Sequence, residues 1–158
     1  VAGNGRGFDT NGVAGATSGL ECGAVTIDEV IAALYASCSF AAGERPDWNK
    51  QREILAPNAR MVRVNDNGVF EFTPRTFREN LEQMIDSGSL PSFCEHELRH
   101  ETQEFGDIAH VLSVYETRMT AESDVIDHGV KSIQLFLKDG RWWISAMIWR
   151  RGFSGGDS

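Results

Sequence analysis

Four histidines, three cysteines and two tyrosines are the side chains of this 158-residue chain best suited to move protons or hold metals. His110 is the leading candidate for acid–base chemistry. Imidazole titrates near neutral pH, so it can take a proton and return it, and the apolar neighbours Ala109 and Val111 suit a buried position. His96 is a second candidate, whereas His100 and His128 are expected at an open end or in solvent. A metal centre is not indicated. His96 and His100 stand four residues apart on a strand, roughly 13 Å at ~3.3 Å per residue, too far to share an ion bound at about 2 Å. Cys22, Cys38 and Cys94 are odd in number and form no Cys-x-x-Cys, so neither a zinc knuckle nor a redox dithiol is signalled. Their pattern points to a reducing, cytoplasmic setting. Cys94 has no activating base at a fixed spacing, and no Gly-x-Ser-x-Gly elbow occurs. The Gly-rich segments 1–7 and 152–156 lack the Lys-Ser/Thr of a phosphate loop. No cofactor is expected.

Charge narrows the partners. The net charge is −8 and the basic residues are dispersed, which argues against a nucleic-acid footprint. No run approaches the ~20 apolar residues of a membrane span, and the first residues lack the basic start and apolar core of a signal peptide.

The elements that would position these groups can be read from caps and periodicity. Residues 1–25, rich in Gly, Ala, Thr and Asn, suggest an arm, and 152–158 a tail. Between them, 26–151 is one domain. Thr26-Ile27-Asp28-Glu29 is a capping box, followed by apolar residues at helical spacing: Ile27, Val30, Ile31, Leu34, Tyr35 and Cys38. Asp47 can cap a short second helix through Leu55, stopped by Pro57. A third starts at Thr73-Pro74 and ends near Gly88. Strands are expected over 60–64, 69–72, 93–104, 108–120, 129–138 and 141–150. Helices followed by an antiparallel run is an α+β pattern.

Asp139-Gly140 is a strong two-residue hairpin signal. It sets Leu137 opposite Trp142 and Gln134 opposite Ser145. One face then carries Ile133, Leu135, Leu137, Trp142, Ile144, Ala146 and Ile148. The other carries Ser132, Gln134, Phe136, Trp143, Ser145, Met147 and Trp149. The first, almost wholly apolar, is expected outside as a homodimer contact. The second mixes polar and aromatic groups, as ligand pockets do. In the preceding hairpin the Phe105-Gly106-Asp107 connection leaves two registers open. A three-residue loop puts Cys94, His96, Leu98 and His100 on the face of His110, Leu112 and Val114; a two-residue loop puts His110 with Arg99 and Glu101. Glu95, Glu97, Arg99 and Glu101 alternate along the strand and are expected in solvent.

These late strands, with Ile108-Ala109-His110-Val111, Ser113, Tyr115-Glu116, Ser132-Ile133-Gln134-Leu135 and Arg141-Trp142-Trp143…Trp149, resemble the nuclear transport factor 2-like superfamily, above all its uncharacterised bacterial branch. The superfamily includes ketosteroid isomerase, scytalone dehydratase and polyketide cyclases. The resemblance implies a cone-shaped α+β barrel, with N-terminal helices packed on a strongly curved, mostly antiparallel sheet. It also implies a homodimer joined through the outer sheet face, and a cavity for a small apolar or aromatic ligand. By the same comparison the isomerase's helical pocket Tyr matches Tyr35. Its general-base Asp falls near Arg63 and its second pocket Asp at Ser132, so both of its acids are absent. The comparison turns His96, His110, Ser132, Gln134, Met147 and Trp149 inward, which favours the three-residue loop. Arg63, at the cone mouth, would favour a carboxylate or enolate. The expected site is therefore His110 and Tyr35 as catalytic groups, lined by Arg63, His96, Leu112, Ser132, Gln134, Ser145, Met147 and Trp149. The implied activity is a cofactor-independent isomerase, dehydratase, cyclase or hydrolase; the alternative is a non-catalytic binding or association domain.

Overall fold

The computed structural model describes residues 25–152. The arm and tail expected at 1–25 and 152–158 lie outside the described residues, except for Val25 and Gly152 at their inner ends. Three helices, α1 (Ile27–Cys38), α2 (Trp48–Ile54) and α3 (Pro74–Asp86), pack on six strands: β1 (Leu55–Asn65), β2 (Gly68–Phe72), β3 (Cys94–Phe105), β4 (Ile108–Arg118), β5 (Val125–Lys138) and β6 (Arg141–Arg151). The order across the sheet is β2-β1-β6-β5-β4-β3. β1 runs parallel to β6 and every other neighbouring pair is antiparallel. This is an α+β cone.

Local chemistry sets each helix. The Thr26 side chain accepts from Glu29 N while Glu29 reaches back to Thr26 N, closing the capping box of α1. The buried side of α1 is the periodic set: Ile27, Val30, Ile31, Leu34, Tyr35 and Cys38. Asp47 caps α2 by accepting from Lys50 N at 3.0 Å, and α3 begins with Thr73 at its cap and Pro74 in the first turn. β1 starts five residues earlier than the sequence suggests, at Leu55. Pro57 sits where the β1–β6 register slips, between Leu55 and Arg60, which is where a strand tolerates a residue without an N–H.

The β3–β4 and β5–β6 hairpins each close with two residues. Asp139 and Gly140 have φ of 53° and 75°, the type I′ pattern, and Leu137 faces Trp142 as expected. Phe105 pairs directly with Ile108 across Gly106-Asp107, with Gly106 at φ 59°. The three-residue loop is thus incorrect. His110 faces Gln103, and Arg99 and Glu101 share its side.

Two bulges decide which side chains point where. In β6, Leu135 pairs with Ile144 and Gln134 with Ala146, so Ser145 is an extra residue. In β3, Glu97 pairs with Tyr115 and Arg99 with Val114, so Leu98 is extra. The helices cover the face made by Val111, Tyr115, Ile133, Leu135, Trp142, Ile144, Met147 and Trp149, all buried in one core with α1. The expected assignment of faces is therefore reversed on β5 and on β6 before the bulge. Ile133, Leu135, Trp142 and Ile144 are inside; Ser132, Gln134, Phe136 and Trp143 are outside. Beyond Ser145 the alternation shifts by one, which returns Met147 and Trp149 to the inside and leaves Ile148 half exposed. Gly129 pairs with Tyr115, and a Cβ at position 129 would run into the Tyr115 ring. Glycine there lets the tyrosine lie flat against β5.

Candidate functional site

The alternation of β5 carries Lys131 inward beside Ile133, and β3 before its bulge carries Glu95 inward. Their side chains are 3% and 5% exposed, and Nζ stands 2.8 Å from Glu95 Oε2. Glu95 was expected in solvent; the burial of this pair overturns that. Isolated charges do not survive such burial, whereas paired ones do. Three aromatic rings surround the ammonium, with centroids 4.2 Å (Tyr115), 5.2 Å (Tyr35) and 5.7 Å (Trp149) from Nζ. Burial works to lower the Lys131 pKa and the Glu95 charge to raise it, and the charge prevails, so Lys131 is held protonated. Glu95 Oε2 is the oxygen in contact with the ammonium, and no other donor reaches it.

This pair lines a cavity of about 70 Å3 beneath α3, with Cys38, Arg63, Phe77, Leu81, Met147, Trp149 and Arg151 around it. Phe77 meets Trp149 edge-on at 5.8 Å, so α3 supplies the apolar roof. The buried Cys38 thiol is pushed up to about 12 by burial, which keeps it protonated and unreactive. The phenols of Tyr35 and Tyr115 are raised above their ordinary range, again by burial first. The Tyr115 hydroxyl and Thr117 Oγ1 are buried without a protein partner.

A chain of hydrogen bonds runs from this interior to the surface. Tyr35 OH lies 2.7 Å from Ser113 Oγ, and Ser113 donates to Glu97, so the tyrosine is the donor to the serine. The other Glu97 oxygen lies 2.8 Å from His100 Nδ1, and His100 Nε2 lies 3.0 Å from Asp28 Oδ1. Glu97 is therefore half-buried, not solvated, and His100 bridges β3 to the start of α1. Its pKa is raised, chiefly by the bond to Glu97 and then by Asp28, against the lowering effect of burial.

Among the residues expected to form the site, Tyr35, Arg63, Met147 and Trp149 are inside. His110, Leu112, Ser132 and Gln134 form a cluster, but on the outer face: His110 Nε2 is 3.0 Å from Ser132 Oγ, and Leu112 is 42% exposed. The closed two-residue loop and the inward turn of Ile133 and Leu135 put them there. His96 is exposed, on that outer side. Ser145 sits in the bulge, its hydroxyl donating to the Gln134 carbonyl at 3.2 Å. Glu95, Lys131, Ser113, Glu97 and Arg151 were missed. Lys131 had a signal: it extends the apolar series Ile133, Leu135, Leu137, and a lysine on such a face implies a buried partner.

No protein-family model matches the sequence, and no curated protein is significantly similar to it. Solved structures do match. A protein of unknown function with a cystatin-like fold from Nostoc punctiforme PCC 73102 superposes with a TM-score of 0.62 at 15% identity, over 81% of this chain and 90% of its own. This chain has the nuclear transport factor 2-like cone fold. A nuclear transport factor 2-like protein of unknown function from Silicibacter pomeroyi DSS-3 matches at TM-score 0.55 and 15% identity, over 79% of this chain and 92% of that one. The hexachlorocyclohexane dehydrochlorinase LinA-type3 from Novosphingobium barchaimii LL02 matches at 0.58 and 10%, over 84% and 90%. The cone thus carries an enzyme in one neighbour and proteins of unknown function in others. No helix among the described residues is long and apolar enough to cross a membrane.

Proposed function

We propose that this protein is a cofactor-independent acid–base enzyme of the isomerase, dehydratase, cyclase or hydrolase type, acting on a small molecule held in the cone cavity. The observation that carries the reading is the Glu95–Lys131 pair, buried and lining the cavity. Glu95 is the base and takes a proton from the bound molecule. The Lys131 ammonium, screened from water by Tyr35, Tyr115 and Trp149, stabilises the oxyanion that develops. In this reading the catalytic role first considered for His110 passes to Glu95, because His110 lies on the far side of the sheet.

The test is deuterium exchange at the α-carbon of a panel of enolisable ketones, lactones and keto acids in D2O, followed by NMR. Glu95→Gln should slow any exchange found by about 10²–10⁴-fold, the usual worth of a general base. The double variant Glu95→Gln/Lys131→Met removes both charges together, should remain folded, and should be equally inactive. Exchange that persists undiminished in folded Glu95→Gln would refute the role.

A second reading, a non-catalytic binding or association domain, draws on the small cavity volume and on the apolar outer face. In either reading the protein works as a pair of copies joined through that face.

A further inference from the structure

Arg63 stands out among the basic residues. It enters from β1, opposite Trp149 of β6, and Arg151 follows two residues later on the same side. Both arginines line the cavity that holds the Glu95–Lys131 pair. The Arg63 group is wedged between the rings of Phe70 and Phe72, 5.1 and 5.2 Å from their centroids, so its position is set by packing. No carboxylate of the described residues pairs with it. Its Nε is buried without a hydrogen-bond acceptor, and so is Nε of Arg151. Arg151 has only a long contact, 3.6 Å, to Asp127 Oδ2, and Asp127 is already occupied by Gly152 N. Glu95 is taken by Lys131.

The imbalance is not for want of acids. The chain has 23 acidic residues against 15 Lys and Arg, and most of its other described arginines find one. Burial, and then the neighbouring Arg151, push the Arg63 pKa down: two like charges face one space, each with an orphaned donor. Buried donors in native proteins have acceptors, and a guanidinium presents its N–H groups as a planar fork that matches a carboxylate.

We propose that the cavity's ligand is a short monocarboxylate whose carboxylate is anchored by Arg63 and Arg151 at the mouth. Its apolar body lies under Phe77 and Leu81, towards Met147 and Trp149, and its reactive carbon is directed at Glu95 and Lys131. This rests on the reading of the cavity as a small-molecule site and adds the chemical class that it accepts. The small volume selects short chains, and the anchor discriminates acid from amide.

The experiment is calorimetric titration at pH 7 of the full chain with butyrate and benzoate, each against its neutral isostere, butyramide and benzamide. NMR of the Trp149 indole N–H, assigned with Trp149→Phe, reports whether binding is in the cone. The acids should bind at least about tenfold tighter than the amides, the worth of a charge-assisted bond, and should shift the Trp149 signal. Arg63→Met should bring the acids down to the amides and leave the amides unchanged. Should Arg63→Met fail to fold, Arg151→Gln should show the same selective loss in smaller measure. Equal binding of acid and amide, equal loss of both in the variant, or acid binding without a Trp149 shift overturns the anion anchor and leaves the cavity reading standing. Binding of none of the four compounds overturns both.

Discussion

His100 shows how a single side chain couples charge to fold. Its two ring nitrogens face Glu97 and Asp28, which only an imidazolium satisfies as a double donor. The folded-state pKa is raised, with the Glu97 bond the largest cause that favours the charged form. A proton bound more tightly in the folded state than in the unfolded one stabilises the fold. That contribution is complete below the ordinary histidine value of about 6.5 and disappears as pH rises through the raised folded value. The melting temperature should therefore drop as pH rises above 6.5 in the wild type, and drop less in His100→Gln. Parallel pH profiles for the two proteins would show that His100 is not the titrating group. From the sequence the same residue was expected at an open end or in solvent, because nothing local reveals that a partner waits 72 positions away at Asp28.

At the scale of elements, the Ser145 bulge is the feature on which the site depends. Before it, β6 buries Trp142 and Ile144; after it, the buried residues are Met147 and Trp149. Inserting one alanine between Ala146 and Met147 adds a residue beyond the bulge, and an otherwise unchanged ladder then continues with Met147, Trp149 and Arg151 turned outward. Exposing a Met and a Trp costs about 1.5–3 kcal/mol each, a large part of the roughly 5–15 kcal/mol of a typical domain. Urea unfolding of the insertion variant should shift to a far lower midpoint, whereas Ser145→Ala, which keeps the count, should stay within about 1 kcal/mol of wild type. An unchanged midpoint for the insertion would mean that the residue count along β6 does not place Trp149. Helix caps and the Asp139-Gly140 turn were legible because each is a contact within a few residues. The bulge was not, since Ser145 looks like any polar strand residue until the whole face of β5 is seen to bury Ile133 and Leu135.

At the scale of the whole molecule, the outer face of the sheet carries Ile108 (57% exposed), Leu112 (42%) and Ile148 (50%), with His110, Ser132 and Gln134 among them. The homodimer proposed here uses this face, not the Ile133, Leu135, Trp142 and Ile144 stripe that the sequence suggested, which the helices already cover. Sedimentation equilibrium at micromolar concentration should give twice the chain mass, and Leu112→Asp, which places a charge amid the contact, should shift it towards the monomer. A monomeric wild type would remove the dimer from the account. The sequence alone determined the three helices, the six strands, the class of fold and the inward place of Tyr35. Caps, turns and periodicity are local, and a resemblance of late strands is enough to indicate a cone. Which face of the sheet lies under the helices was decided only in three dimensions. A side-chain period of two makes the faces equivalent until a single loop length or bulge breaks the tie, and that choice moved His110 to the surface and put Glu95, Lys131 and Arg151 beside Arg63 in the cavity.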